Sequence, residues 1–267
     1  MTPQTSYPYP TQEHKAAAET ISTYYAANHR TDAVLLVNSC ARGKATRDSC
    51  LDIVILAQPD PLRPPLSAWE ADWARFEQTN PAIEALKRVG RYSVVHPDFI
   101  DGVFSPPDRD EAAGPDDFEL WIGNFLAYSV PLWQGSDYFA RLKQQWLPYY
   151  DEELRRQRLA MVRQYCLDNL HHIPLYIQRG LYFQCFDRLY NAYREFLQAL
   201  FIARRTYPIA YNKWIREQVE EILGLPELYN QLTHIFEISR FESSEIADKA
   251  EEVEQLLEKY APAPTHG

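Results

Sequence analysis

Ala33-Val34-Leu35-Leu36-Val37-Asn38-Ser39-Cys40-Ala41-Arg42-Gly43-Lys44-Ala45-Thr46-Arg47-Asp48-Ser49-Cys50-Leu51-Asp52-Ile53-Val54-Ile55-Leu56 sets two apolar runs on either side of a polar segment. Ala33 to Val37 and Leu51 to Leu56 are short and rich in β-branched residues, so each predicts a buried strand. The segment between them has the chemistry of a phosphate loop. Ser39 offers a hydroxyl and backbone N–H donors, Gly43 permits close approach, and Arg42 and Lys44 supply positive charge. On a strand, residues two apart point to one face, so Cys50 and Asp52 belong together. A pair of carboxylates at that spacing holds a divalent cation economically, whereas a thiol is a soft, poor ligand for magnesium.

This pattern resembles the nucleotidyltransferase superfamily with the DNA polymerase beta-like fold, which includes the aminoglycoside and lincosamide resistance enzymes. Their motif reads G-S-x-A-R-G, a few residues, then S-D-x-D between two strands. Ser39, Ala41, Arg42, Gly43, Ser49 and Asp52 fit it. Asn38 stands where the first Gly is usual, and Cys50 where the first metal-binding Asp belongs. Asn tolerates left-handed backbone better than most residues, so the exchange at position 38 predicts modest distortion.

The resemblance implies transfer of a nucleoside monophosphate, AMP from ATP, to a hydroxyl of a small molecule or protein, with Mg2+ or Mn2+ as cofactor. Asp52 would hold the metal, and Ser39, Arg42, Gly43, Lys44 and Ser49 would hold the nucleotide. The family also needs a third carboxylate on a later strand of the same sheet. Glu119, in Phe118-Glu119-Leu120-Trp121 with Val130-Pro131-Leu132 following, is placed ahead of Asp101 for that role. Glu195 corresponds to the family's acidic helix residue, a general base, and Lys213 could reach phosphate. Each has a plainer reading: a solvated strand carboxylate for Glu119 or Asp101, pairing with Arg188 or Arg194 for Asp187 and Glu195, and a surface Lys.

Outward from the motif, Gln12 to Asn28 has helical spacing, and Ser67 with Glu70 marks an N-cap for a helix through Trp69, Trp73 and Phe76 after Pro59, Pro61, Pro64 and Pro65. A continuation runs from Pro81 to Val89 and stops at Gly90. Ser93 to Val95 and Phe99 to Phe104 read as extended segments divided by Pro97, Ser105 to Asp117 as a loop, and Phe118 to Ile122 as a strand. Thereafter the periods are helical: Tyr138 to Trp146, Asp151 to Leu170, Gly180 to Arg204, Tyr211 to Leu223, and Glu245 to Tyr260. The expected fold class is α+β or α/β: a small mixed sheet in a nucleotidyltransferase-like domain over residues 1–135, then an antiparallel helical bundle over 136–267.

With 267 residues, 46% of them hydrophobic, the chain can bury two modest cores. A formal net charge of −10 argues against a nucleic acid polymer as partner, since such binding needs a basic stripe. No apolar run of about 18 residues suggests a membrane span, and the first residues lack signal-peptide features, so the expectation is a cytoplasmic protein. Four cysteines without C-x-x-C spacing indicate reduced thiols and do not indicate a zinc site. His171 and His172, adjacent on a helix, do not converge on one metal. The amphipathic last helix docks on the bundle or forms a homodimer contact. Three function classes follow: a metal-dependent transferase, a catalytically degenerate relative that binds a nucleotide or other ligand, or an unrelated α/β protein with a chance match.

Overall fold

Thr11 accepts the backbone N–H of His14 and so opens the first helix, α1 (Gln12–Ala26). The structure is a computed structural model that describes residues 9–60, 66–107 and 114–264. It is a mixed α+β protein whose described residues form one four-stranded sheet, in the order β3 (Val95–Ile100), β2 (Leu51–Leu56), β1 (Ala33–Leu36), β4 (Val130–Gln134). Strand β1 (Ala33–Leu36) lies antiparallel to β2 (Leu51–Leu56), with Leu36 opposite Ile53. Strand β3 (Val95–Ile100) runs parallel to β2, and β4 (Val130–Gln134) antiparallel to β1. Every residue of the two central strands is buried, which is why, Asp52 apart, they read as apolar runs rather than alternating ones.

The two edge strands carry prolines, Pro97 in β3 and Pro131 in β4, and both differ from expectation. The sequence predicts that Pro97 divides two segments, yet β3 runs straight through it. A proline lacks the N–H for a ladder bond, and an edge strand has one side on which none is needed. The same freedom admits Pro131 into β4, a strand not expected from the sequence.

The chain folds as two compact units: residues 1–104 with 121–147, and residues 105–120 with 148–267. In the first, α1 buries Ala17, Ala18, Ile21 and Tyr25. Trp69 and Trp73 of α3 (Leu66–Thr79) and Ile83 and Leu86 of α4 (Pro81–Lys87) complete that core. Helix α3 starts at Leu66, one residue before the expected cap at Ser67; the Ser67 side chain and Pro61, Pro64 and Pro65 lie outside the described residues. The tip of the expected Ser105 to Asp117 loop, residues 108–113, lies outside them too.

Phe118 to Ile122, expected as a strand, is helix α5 (Phe118–Ile122), followed by a π-helical turn (Gly123–Ala127). Phe118 and Ile122, four apart, are fully buried while Trp121 is 41% exposed, a helical and not an alternating pattern. Asp116 Oδ1 accepts the Phe118 N–H at 3.0 Å and commits the backbone to that start. Helix α6 (Tyr138–Trp146) matches expectation and packs within the first unit.

The second unit is helical. Helix α7 (Glu152–Gln178) passes the expected end at Leu170 and contains Pro174. The lost backbone bond is tolerated because Ile173 is fully buried and α7 packs along α8 (Tyr182–Ala203) into one apolar core. Gly180, at φ +68°, makes the reversal between them. The expected Tyr211 to Leu223 helix shrinks to a π-helical turn (Glu217–Ile222). Ahead of it the Gln218 amide bonds Ile209 N, Ala210 N, Ala210 O and Lys213 O, bracing an irregular backbone. Helices α9 (Pro226–Ile235) and α10 (Glu245–Tyr260) close this core with Leu228, Leu232, Val253 and Leu257. Among the described residues, no helix is long and apolar enough to cross a membrane.

Candidate functional site

The loop between β1 and β2 is held by bonds that the motif residues make. Asn38 takes φ +56° and starts a single helical turn, α2 (Asn38–Ala41). The position where the resembling family carries Gly thus adopts the left-handed backbone that Asn is expected to tolerate. Gly43, at φ +69°, turns the chain back, and the Lys44 N–H closes on Ser39 O at 2.9 Å. The Val37 N–H donates to Asp52 O at 3.2 Å and the Cys40 thiol to Cys50 O at 3.6 Å, so the turn sits beside the start of β2.

Outside contacts pin this turn in place. The buried His14 ring bonds Ser49 O through Nε2 and Thr11 Oγ1 through Nδ1, each at 2.9 Å. The carbonyl can only accept, so Nε2 carries the proton. Ser93 Oγ donates to Arg47 O at 2.8 Å, and Arg47 Nε to Val89 O at 3.1 Å. Ser49 is occupied within the loop, where its hydroxyl accepts the Thr46 N–H at 2.9 Å. Ser39 is half-buried and Lys44 exposed. Asn38→Gly is expected to change the urea midpoint little. Asn38→Val, β-branched at positive φ, is expected to cost about 1–2 kcal/mol in the same measurement.

The β2–β3 register builds the chemistry of the site. Asp52 lies directly opposite His96, and Val54 opposite Asp98. Paired residues share a face, as do residues two apart, so Cys50, Asp52, His96 and Asp98 all point the same way. Cys50 Sγ lies 3.4 Å from Asp52 Oδ2, and His96 Nδ1 lies 3.4 Å from Asp52 Oδ1. One ligand atom from each of Cys50, Asp52 and His96 falls within 4.8 Å of the others. The Asp52 side chain is only 10% exposed, whereas His96 is 62% exposed and forms the open side.

Asp98 keeps accessible surface at the rim, yet protein atoms crowd its carboxyl. That desolvation, and then the negative charge of Asp52, raise its pKa above the usual carboxylate range, with His96 opposing. Native Asp98 therefore holds its proton to higher pH than the unfolded chain does. Its ionisation removes stability as pH rises through the native pKa, and the effect vanishes below the unfolded value of about 3.9. Asp98→Asn is expected to raise stability at pH 7 by no more than about 1 kcal/mol in thermal melts, a gain that disappears at pH 3.

Of the residues singled out from sequence, Glu119 belongs to the second unit and sits on helix α5, not on a strand. Its carboxylate is fully buried and accepts four bonds: Tyr150 OH at 2.8 Å, Arg158 Nε at 2.6 Å, Arg158 Nη2 at 2.8 Å and Gln198 Nε2 at 2.8 Å. A carboxylate has about four lone-pair sites, so none remains for a metal and the ligand role expected for Glu119 is corrected. Asp101 lies just beyond β3, where its Oδ1 accepts the Val103 N–H at 2.9 Å in a turn at Gly102. It has the opposite strand parity from His96 and Asp98.

Glu195 of α8 is fully buried and accepts Asn169 Nδ2 at 2.8 Å, and Arg188 Nη1 reaches Asn169 Oδ1 at 2.9 Å. It sits in the α7–α8 contact, hydrogen-bonded to Asn169. Lys213 is exposed, in a turn whose carbonyl Gln218 holds.

His96 and Asp98 escape a reading of the sequence. Pro97, as an apparent break, hides them in a supposed connector; an edge-strand reading of Val95-His96-Pro97-Asp98-Phe99-Ile100 aligns both residues on one face. No protein-family model matches the chain, and no curated protein matches it at a significant level.

Proposed function

We propose that the Ser39 turn and the β2–β3 face form a nucleotide site, and that the protein is nucleotidyltransferase-like. In this reading AMP passes from ATP to a hydroxyl of a small molecule or protein, in the cytoplasm, and the helices of the second unit form an antiparallel bundle. The observation that carries it is that Asp52 and Asp98 lie on one face of adjacent strands, Asp98 two residues beyond the strand partner of Asp52, with the Asp52 strand following a Ser/Arg/Gly/Lys turn. The acceptor oxygen forms a bond to the α-phosphorus as the bond to pyrophosphate breaks. Its proton passes to a carboxylate of the pair and then to water. Lys44 and Arg42 offset charge on the triphosphate, and Ser39 orients it.

The donor set does not suit Mg2+ or Mn2+, which favour oxygen ligands: Asp52 and Asp98 offer oxygen, but Cys50 and His96 offer sulfur and nitrogen. One observation favours a second reading, a degenerate nucleotide-binding module. Both Asp52 oxygens are engaged, one by the Cys50 thiol and one by His96. Incubation with α-labelled ATP or GTP, divalent metals and an acceptor panel separates the two. Label on an acceptor, lost in Asp52→Asn, supports the enzyme, and saturable binding without transfer supports the module. Failure of either nucleotide to bind would sink both.

A further inference from the structure

The sulfur and nitrogen donors that disqualify magnesium are themselves a coherent set. The geometry points to a binding site for a borderline divalent transition metal, of the zinc class, formed by Cys50, Asp52 and His96. Zinc is held by thiolate, imidazole and carboxylate at about 2.3, 2.0–2.1 and 2.0–2.2 Å, usually as a tetrahedron. Those lengths place sulfur and oxygen ligands about 3.6 Å apart, and nitrogen and oxygen ligands about 3.4 Å apart. Cys50 Sγ lies 3.4 Å from Asp52 Oδ2 and His96 Nδ1 lies 3.4 Å from Asp52 Oδ1, separations of that size to two different oxygens, so one metal would take the carboxylate through both oxygens or with a small turn of the carboxyl. The largest separation within the group is no more than 4.8 Å, and the exposed His96 ring can turn to shorten it.

The backbone holds these donors. Asp52 and His96 are opposed in register on neighbouring strands, and Cys50 lies two residues before Asp52. Val37 N and Cys40 Sγ in turn bond the carbonyls of Asp52 and Cys50. Three protein ligands with an exposed side leave the fourth position for water or a phosphate oxygen, the pattern of a reactive rather than a closed zinc site.

The Cys50 thiol donates toward the Asp52 carboxylate at 3.4 Å. On binding, the Cys50 S–H bond breaks, its proton goes to solvent, and the sulfur electron pair forms the metal bond. One thiolate and one carboxylate then balance the two positive charges.

The site stands on its own geometry and names the metal that the proposed transfer would use. The test takes the full chain, stripped with chelator, and titrates it with Co2+ and then Zn2+ without nucleotide. One Co2+ per chain is expected, with a sulfur-to-cobalt charge-transfer band in the near ultraviolet that Zn2+ displaces and millimolar Mg2+ does not. Cys50→Ser should abolish the band and weaken Zn2+ about 100-fold, the upper end of what loss of even an indirect partner costs. His96→Ala, at a side chain 62% exposed, should weaken Zn2+ comparably while keeping the thermal midpoint. A wild-type chain that binds no Co2+, a band that survives Cys50→Ser, or an unchanged Zn2+ affinity in His96→Ala overturns the site. Metal binding that persists without nucleotide transfer counts against the transferase reading alone.

Discussion

Arg158→Ala will cost the second unit about 3–5 kcal/mol, the range for removing one partner of a buried ion pair. Arg158 is 3% exposed and donates to Glu119 and to both oxygens of Asp116, the latter at 2.8 and 3.0 Å. Its guanidinium also lies 4.8 Å from the centre of the Phe118 ring. Burial alone would lower its pKa, but the hydrogen bond and charge of Glu119, together with Asp116, outweigh that and raise it. Truncation removes the guanidinium that both buried carboxylates bond, and urea unfolding followed by a probe in the α7–α8 core should report the loss. Glu119→Gln should also destabilise while leaving Co2+ binding at the first unit unchanged. Weakened metal binding with unaltered stability in that variant would restore Glu119 as a ligand.

The second large effect is expected at Asp52. On the proposed transferase reading, Asp52→Asn should lower nucleotidyl transfer about 10³-fold, since the cation that Asp52 would hold supplies several kcal/mol of charge stabilisation at the phosphate and each 1.4 kcal/mol is a factor of ten. Stability should move little. The amide has the same shape as the carboxylate, and its two neighbours, Cys50 and His96, keep access to water. Large loss of transfer with a preserved thermal midpoint marks a chemical role. An equal fall in both would reduce Asp52 to a fold residue.

The central part of the fold was legible because its signals are local. Ala33 to Val37 and Leu51 to Leu56 are apolar in sequence because they are buried on both faces, and the positive φ of Asn38 follows from the few residue types that accept it. Thr11, Pro81 and Gly180 likewise mark helix ends with chemistry carried within a few residues. Phe118 to Ile122 misleads because five residues, mostly apolar, satisfy either period; the Asp116 cap and the ion pair with Arg158 settle it as helix. The candidate site was half legible. Cys50 and Asp52 lie two residues apart in the chain, but His96 and Asp98 join them only through the register of β3 on β2.

What the amino-acid order determined by itself was the strand-turn-strand unit, the side of the sheet on which Cys50 and Asp52 point, and the helical character of the second half. Propensity, burial period and turn chemistry act over a few residues, so these features are written where they occur. Tertiary structure decided which acids meet. It withdrew Glu119 into a saturated ion pair with a residue 39 positions away and set His96 against Asp52, 44 positions apart. Charges and donors are selected by distance in space: helix packing brings Arg158 onto Glu119, and the parallel pairing of β2 and β3 brings His96 to 3.4 Å from Asp52.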